Sequence, residues 1–222
     1  MPLTLRLRST RTDSPEIAEA AHVVRQGGIV IFPTESVYGI GAGLDFPEAA
    51  LRINRLKQRP ETQPLLVHCA ETGDIAILAR AVPPETFRLI EAFLPGPLAL
   101  ILPAADRVPE ELRGPGDTIG IRVTGLPVAR ALIRRSGMPL AGSSANRHGA
   151  PATGTFSGID ASLIAEADIV LDAGDSGDGM ATTMVDLAAR PFRVIREGAI
   201  SRQAVEAVLV GPRGWRPHEP GL

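Results

Sequence analysis

"TTMVDLAARPFRVIRE", residues 182–197, decides the architecture. Two runs of strand formers, Thr182 to Leu187 and Phe192 to Glu197, are separated only by Ala188, Ala189, Arg190 and Pro191. A link this short joins antiparallel strands, because parallel neighbours need a crossover of about a dozen residues or more. Just upstream, "GIDASLIAEA" (158–167) reads as a helix, "DIVLD" (168–172) as a buried strand and "AGDSGDG" (173–179) as a glycine-rich loop. Toward the N-terminus the same alternation recurs. Helices are expected over Pro15 to Val24 with Ser14 or Asp13 as N-cap, over Phe46 to Arg59 with Pro60 as the stop, over "PPETFRLIEAF" (83–93) and over "LPVARALIRRSG" (126–137). Strands are expected at "GIVIF" (28–32), "PLLVHC" (64–69), "LALIL" (98–102), "TIGIRV" (118–123) and "MPLAG" (138–142), and Ser201 caps a last helix, "SRQAVEAVLV". Alternating strands and helices with one antiparallel pair give an α/β fold with a mixed sheet.

Composition limits the function. The 222 residues hold 44% hydrophobic and 22% charged residues, with 23 Lys+Arg against 25 Asp+Glu, which fits one globular domain without a dominating basic field. Any nucleic-acid contact would have to use a local patch. A single cysteine, Cys69, excludes an internal disulfide framework, and the four histidines show no metal-ligand spacing, so no metal-binding residue is assigned. The N-terminus lacks the apolar core of a secretory signal, and no run approaches the ~20 apolar residues of a membrane span, so a soluble, cytoplasmic protein is expected. The tail "GPRGWRPHEPGL" (211–222), rich in proline and glycine, is expected to be flexible, leaving residues 1–13 as an N-terminal segment and 14–210 as the domain.

Several constellations could carry chemistry. Lys57 and Arg59 lie two apart at a helix end that Pro60 breaks, so they could converge on an anion; they also suit a solvated, dipole-favourable helix end. "SSANRHGAP" (143–151) delivers Ser143, Ser144 and Asn146 at a strand tip, where open α/β sheets bind ligands, although turn formation explains the same residues. Thr118, Gly120 and Arg122 share a strand face by period two; an inward arginine is costly unless it meets an anion, whereas an outward one is unremarkable. His68 at a strand end is either a structural donor or a ligand contact. Thr182 and Thr183 follow the glycine-rich loop, whose glycines would let backbone amides approach a ligand, and Arg196 ends the neighbouring strand. No Walker sequence, no dinucleotide G-x-G-x-x-G and no G-x-S-x-G elbow occurs. In "IFPTESVYGIGAG" (31–43), Thr34, Glu35 and Ser36 break a strand, Tyr38 is a packing anchor, and Gly39, Gly41 and Gly43 are read as turning the chain away; Glu35 and Ser36 are read as turn formers.

Taken in order, "FPTESVYGIGAG", "KQRPETQPLLVH", "LPGPLALIL", "TIGIRV", "SSANRHGAP", "TTMVDL" and "VIREGAI" resemble the YrdC-like threonylcarbamoyl-AMP synthase family, whose K-x-R and S-x-N signature is matched by Lys57-Gln58-Arg59 and Ser144-Ala145-Asn146. The resemblance runs from about Ser14 to about Val210. It implies a YrdC-like twisted mixed α/β sheet with flanking helices and a large concave, positively lined site. It also implies a nucleotidyltransferase that joins L-threonine, bicarbonate and ATP to give L-threonylcarbamoyladenylate and pyrophosphate, with Mg2+ carried by the ATP and no tightly bound protein-ligated metal. A tRNA threonylcarbamoyl-transfer machinery would consume the product.

By the same resemblance Lys57, Arg59, Ser144 and Asn146 form the catalytic signature, with Lys57 stabilising charge on carbamate or phosphate. Thr34, His68, Arg122 and Thr182 match positions that hold L-threonine, and Arg59, Gln63, Thr118, Ser144 and Arg196 match nucleotide contacts. Gln63, Gly142 and Ala152 depart from the family's usual asparagine, hydroxyl and serine. The absence of a second domain after the last helix points to the short, single-domain form. An alternative from the same resemblance is a relative acting on another carbamoyl donor. The other is an RNA-binding module without chemistry, with at most weak RNA binding expected from 4% aromatics and a near-neutral charge balance.

Overall fold

In the computed structural model, residues 2–7, 11–60 and 62–210 are described. They form β1 (Leu3–Arg6), α1 (Pro15–Arg25), β2 (Val30–Phe32), β3 (Gly39–Gly43), α2 (Pro47–Leu56), β4 (Leu66–Cys69), α3 (Asp74–Leu78), α4 (Pro84–Phe93), β5 (Leu98–Pro103), β6 (Thr118–Val123), α5 (Pro127–Ser136), β7 (Leu140–Ser144), α6 (Ala161–Glu166), β8 (Ile169–Asp172), β9 (Thr183–Asp186), β10 (Arg193–Arg196) and α7 (Arg202–Val210). The ten strands make one twisted sheet in the order β1-β8-β2-β3-β7-β4-β6-β5-β9-β10. It is mixed, as expected: β9 and β10 pair antiparallel, whereas β2 with β8, β4 with β6 and β5 with β9 pair parallel.

Period-two alternation divides the core between the two faces. Val30 and Phe32 of β2 join Ile169 and Leu171 of β8 in a cluster closed by Ile17, Ala20, Ala21 and Val24 of α1 and by Val128, Ala129 and Leu132 of α5. Ile29, Ile31 and Val170, the residues in between, point the other way into a larger cluster that includes Ala50 and Ile53 of α2 and Leu163 of α6 and extends to Val205 of α7. Helix ends follow the expected capping. The Ser14 hydroxyl accepts from the Ile17 amide (3.4 Å) and the Ser201 hydroxyl from the Ala204 amide (3.2 Å), while Gly137 closes α5 in the left-handed conformation.

The structure differs from the sequence reading in four places. Residues 3–6, set before the domain, pair in parallel with β8 as an edge strand. Helix α2 ends at Leu56 rather than Arg59, because Gln58 already turns the chain with φ of 54°. Helix α3 has no strong periodic signal. Gly39 to Gly43 do not turn the chain away: they form β3, wholly buried between β2 and β7. The glycines are needed there for room, since a Cβ on Gly39 would lie 2.8 Å from the Phe32 ring and one on Gly41 3.2 Å from it. The segment 211–222, expected to be a flexible tail, lies outside the described residues.

Candidate active site

Strand register builds the site. Gly39 pairs with Ser144, Gly142 with Leu66 and His68 with Arg122, so neighbouring strands β3, β7, β4 and β6 carry these residues in successive rows on one sheet face. It is the face on which Phe32 and Leu140 lie, beyond the area covered by α1 and α5. These residues line a cavity of about 300 Å³ that also takes in Thr34, Arg59, Ser143, Asn146, Thr182 and Arg196, a size suited to a small molecule. Of the residues picked from the sequence, Thr34, Arg59, His68, Arg122, Ser144, Asn146, Thr182 and Arg196 meet there, and Gly142 and Ala152, two of the three departures, share the wall.

Three expected residues do not line the cavity. Lys57 is 3% exposed, and its ammonium donates to the carbonyl oxygens of Ser144 and Asn146, the second at 2.5 Å. The early end of α2 and the left-handed Gln58 fold the lysine beneath the S-x-N loop while Arg59 emerges into the cavity. Lys57 therefore joins the two halves of the signature from outside the cavity lining. Burial, and then the charge of Arg59, lower its pKa to about 8. Gln63 is exposed, with its carbonyl accepting from the Asn54 amide nitrogen. Thr118 donates to the Pro115 carbonyl (3.0 Å) and sits beside Gly114 and Pro64, outside the lining.

Depth divides the cavity. Thr34, His68, Arg122 and Thr182 are at most 4% exposed and form the floor, whereas Arg59, Ser144 and Asn146 are half-buried and Arg196 is exposed at the rim. Arg59 donates to the Pro64 carbonyl (2.8 Å) and Arg196 to the Thr182 carbonyl (2.9 Å), and burial lowers the pKa of both. No carboxylate is among the lining residues.

Arg122 meets the anion that its inward position demands. Its Nη2 donates to Glu35 Oε1 (2.7 Å) and Ser36 Oγ (2.8 Å), its Nη1 to the Thr182 hydroxyl, and its Nε to the Gly96 carbonyl (3.3 Å). Glu35 Oε2 accepts from the Thr124 hydroxyl (2.7 Å). Burial pushes the Glu35 carboxyl up, but the charge and hydrogen bond of Arg122, helped by the Gly125 amide and Thr124, outweigh it and hold the group at about 2. Glu35 and Ser36, expected as turn formers, both bond Arg122; the signal in the sequence was that arginine, which needs an anion if it faces inward.

His68 is buried, stands edge-on to Phe32 at 5.5 Å, and leaves Nδ1 without a partner. Burial, with the Arg122 charge next, lowers its pKa to about 3, so the floor imidazole is neutral. Thr34 donates to the Val37 carbonyl (2.6 Å) and accepts from the Ser36 and Val37 amides (3.2 and 3.3 Å), so its hydroxyl is engaged within the turn. The glycine-rich loop 173–179 turns its amides to protein and not to the cavity: Ser176 N bonds Gly154 O and Gly179 N bonds Ser36 O. Gly142 lacks space for a side chain as arranged, because a Cβ would lie 2.6 Å from the Ile40 carbonyl. Tyr38 is the anchor expected, buried and bonded through its hydroxyl to Gly174 O and Ala173 N.

Fold and site together define a mixed α/β protein with a cation-rimmed small-molecule cavity on its sheet. The chain matches the Sua5/YciO/YrdC family, described as "telomere recombination", over residues 22–198, and it belongs to that family. It is 33% identical over 199 residues to the threonylcarbamoyl-AMP synthase of Pyrococcus abyssi, covering 90% of this chain and 58% of that one. To the protein of the same name from Bacillus subtilis it is 36% identical, over 95% of this chain and 64% of the relative. The chain thus spans about three-fifths of the length of these relatives. Among solved structures it superposes on P. abyssi Sua5 complexed with L-threonine with a TM-score of 0.86 (33% identity, 94% of this chain and 60% of that one). Escherichia coli YciO aligns with a TM-score of 0.79 (28% identity, 90% and 96%). Among the described residues no helix is long and apolar enough to cross a membrane, and no group of three or more His, Cys, Asp or Glu could hold a metal ion.

Proposed function

We propose that this chain is an L-threonylcarbamoyladenylate synthase that joins L-threonine, bicarbonate and ATP with release of pyrophosphate. The observation that carries the reading is the division of the cavity by depth. The buried floor, Thr34, His68, Arg122 and Thr182, is the set expected to hold the amino acid, and the rim, Arg59, Ser144, Asn146 and Arg196, holds most of the set expected for the nucleotide. The names of the Pyrococcus and Bacillus relatives and the threonine-bound Pyrococcus structure support the same substrates.

The reaction asks for no nucleophilic side chain. The amine of threonine takes up CO2 from bicarbonate as a carbamate, whose oxygen attacks the α-phosphate and expels pyrophosphate. The protein's part is to hold two anions in line and to neutralise the charge that develops between them. Arg59 and Arg196 flank the phosphates, the Ser144 hydroxyl and Asn146 amide orient them, and Arg122 with Thr182 fixes the amino acid. Lys57 acts beneath this layer by fixing the S-x-N loop. Magnesium arrives with the ATP as part of the substrate, and a lining without carboxylates leaves its ligation to phosphates and water. The adenylate is passed to a tRNA-modifying transfer machinery.

In a test with purified protein, ATP, bicarbonate and magnesium, pyrophosphate should appear only when L-threonine is added. Arg59→Ala should reduce the rate by at least about tenfold, chiefly through the ATP dependence. Pyrophosphate release without threonine, or none with it, overturns the reading.

A further inference from the structure

The cavity's cations are not equivalent. Arg59 and Arg196 at the rim bond only backbone carbonyls, and neither joins a salt bridge among the described residues. Arg122 on the floor is different: its side chain is 3% exposed and is paired at 2.7 Å with Glu35, itself only 24% exposed. Glu35 does not line the cavity. It meets Nη2 of Arg122 together with Ser36, whereas Nη1 is on the side of Thr182, which does line it. Both Glu35 oxygens are fixed, one by Arg122 and the other by Thr124. The floor therefore carries donors but almost no net charge, since its histidine is neutral as well, while the rim is cationic.

We infer that Glu35 is a specificity-determining positioning residue: by cancelling the charge of Arg122 from behind, it reserves the floor for a net-neutral zwitterionic amino acid and confines polyphosphate to the rim. The inference rests on the proposed function for the occupant of each level. Its physical content is electrostatic. A desolvated, uncompensated guanidinium is a strong site for phosphate oxygens, whereas one already neutralised in the same plane offers directed hydrogen bonds without a net attraction for a multiply charged anion. Without such a device, an ATP-using cavity with three arginines would bind its triphosphate, or the pyrophosphate it releases, on the floor and exclude the second substrate.

Calorimetric titration with inorganic pyrophosphate and with L-threonine, in the absence of turnover, separates the cases. For the unmodified protein, saturating L-threonine should leave pyrophosphate affinity unchanged; a fall in that affinity would place pyrophosphate on the floor and overturn the inference without any variant. For Glu35→Gln, an isosteric change, pyrophosphate should bind about tenfold more tightly and L-threonine should now displace it. Glu35→Asp, which keeps the charge, should restore the unmodified pattern. Loss of threonine binding in Glu35→Gln with no gain for pyrophosphate would mean a merely structural carboxylate and would also overturn it. If the unmodified protein binds no L-threonine, the proposed function fails, and the pyrophosphate gain of Glu35→Gln still decides the role of Glu35.

Discussion

The Thr34 hydroxyl has one proton and two lone pairs, and the turn takes them all: the proton goes to Val37 O, and the lone pairs receive the Ser36 and Val37 amides. The resemblance drew attention to Thr34 as a substrate contact, and the structure gives it a more basic task, forming the turn that carries Glu35 to Arg122. Thr34→Ser should therefore keep both stability and activity. Thr34→Ala should lose about 1–3 kcal/mol of stability, the usual cost of leaving buried backbone donors unpaired, and should weaken L-threonine more than ATP. Denaturant unfolding and separate binding titrations check this, and equal losses for both substrates would contradict it. The residue types here were legible in the sequence, but not the saturation of the hydroxyl, which depends on two dihedral angles that no motif records.

At the scale of the element, β3 shows why glycine-rich sequence misleads. Gly39, Gly41 and Gly43 suggest a turn, yet none has positive φ, and all lie in a central strand. Their role is to vacate space over the sheet. The Phe32 ring fills it beside Gly39 and Gly41 and stands edge-on to His68, which limits its retreat, whereas Gly43 faces chiefly the sulfur of the flexible Met138 side chain, with the Phe46 ring at 3.1 Å from the added carbon. Gly39→Ala should accordingly cost about 1–3 kcal/mol by overpacking and Gly43→Ala less, although the initial approach at Gly43 is closer, 2.5 Å against 2.8 Å. Thermal unfolding of the two variants gives the order directly. The same steric reasoning applies to Gly142, where any Cβ would press on the Ile40 carbonyl. Strands with alternating or continuous apolar residues were found from sequence; β3, which lacks large side chains on one face, could not be, because its partner's side chains replace its own.

For the whole molecule, the buried polar floor sets the response to acid. The unfolded chain protonates His68 near its ordinary value of 6.5, but the folded protein does so only at about 3. Lowering the pH from 6.5 toward 3 therefore favours unfolding, with a slope of up to about 1.4 kcal/mol per pH unit from this group. Glu35 adds a second loss: its folded pKa of about 2 lies below the ordinary 4.5, so the stability it contributes is complete above 4.5 and disappears as pH falls through 2. Stability should drop from pH 6.5 to 4.5 through His68 and more steeply below 4.5. His68→Asn should flatten the first part and leave the second, as measured by urea midpoints at about pH 7, 5.5, 4.5 and 3.5; an unchanged slope would show that His68 takes its proton normally.

The mixed α/β class, most helices and strands with their caps, and the residue types at the cavity were legible in the sequence, because capping, periodicity and a short antiparallel link are local properties that neighbouring residues settle. The sequence left open whether Arg122 faces inward, where it needs an anion, or outward. Long-range packing paired Arg122 with Glu35, bonded Lys57 to the carbonyls of Ser144 and Asn146, and left Gln63 and Thr118 outside the lining. Each of these depends on where chain segments far apart in sequence come to lie: Glu35 is 87 positions from Arg122, and Lys57 is 87 from Ser144. Strand register across β3, β7, β4 and β6 fixes those separations in space, and with them the division between a neutral floor and a cationic rim.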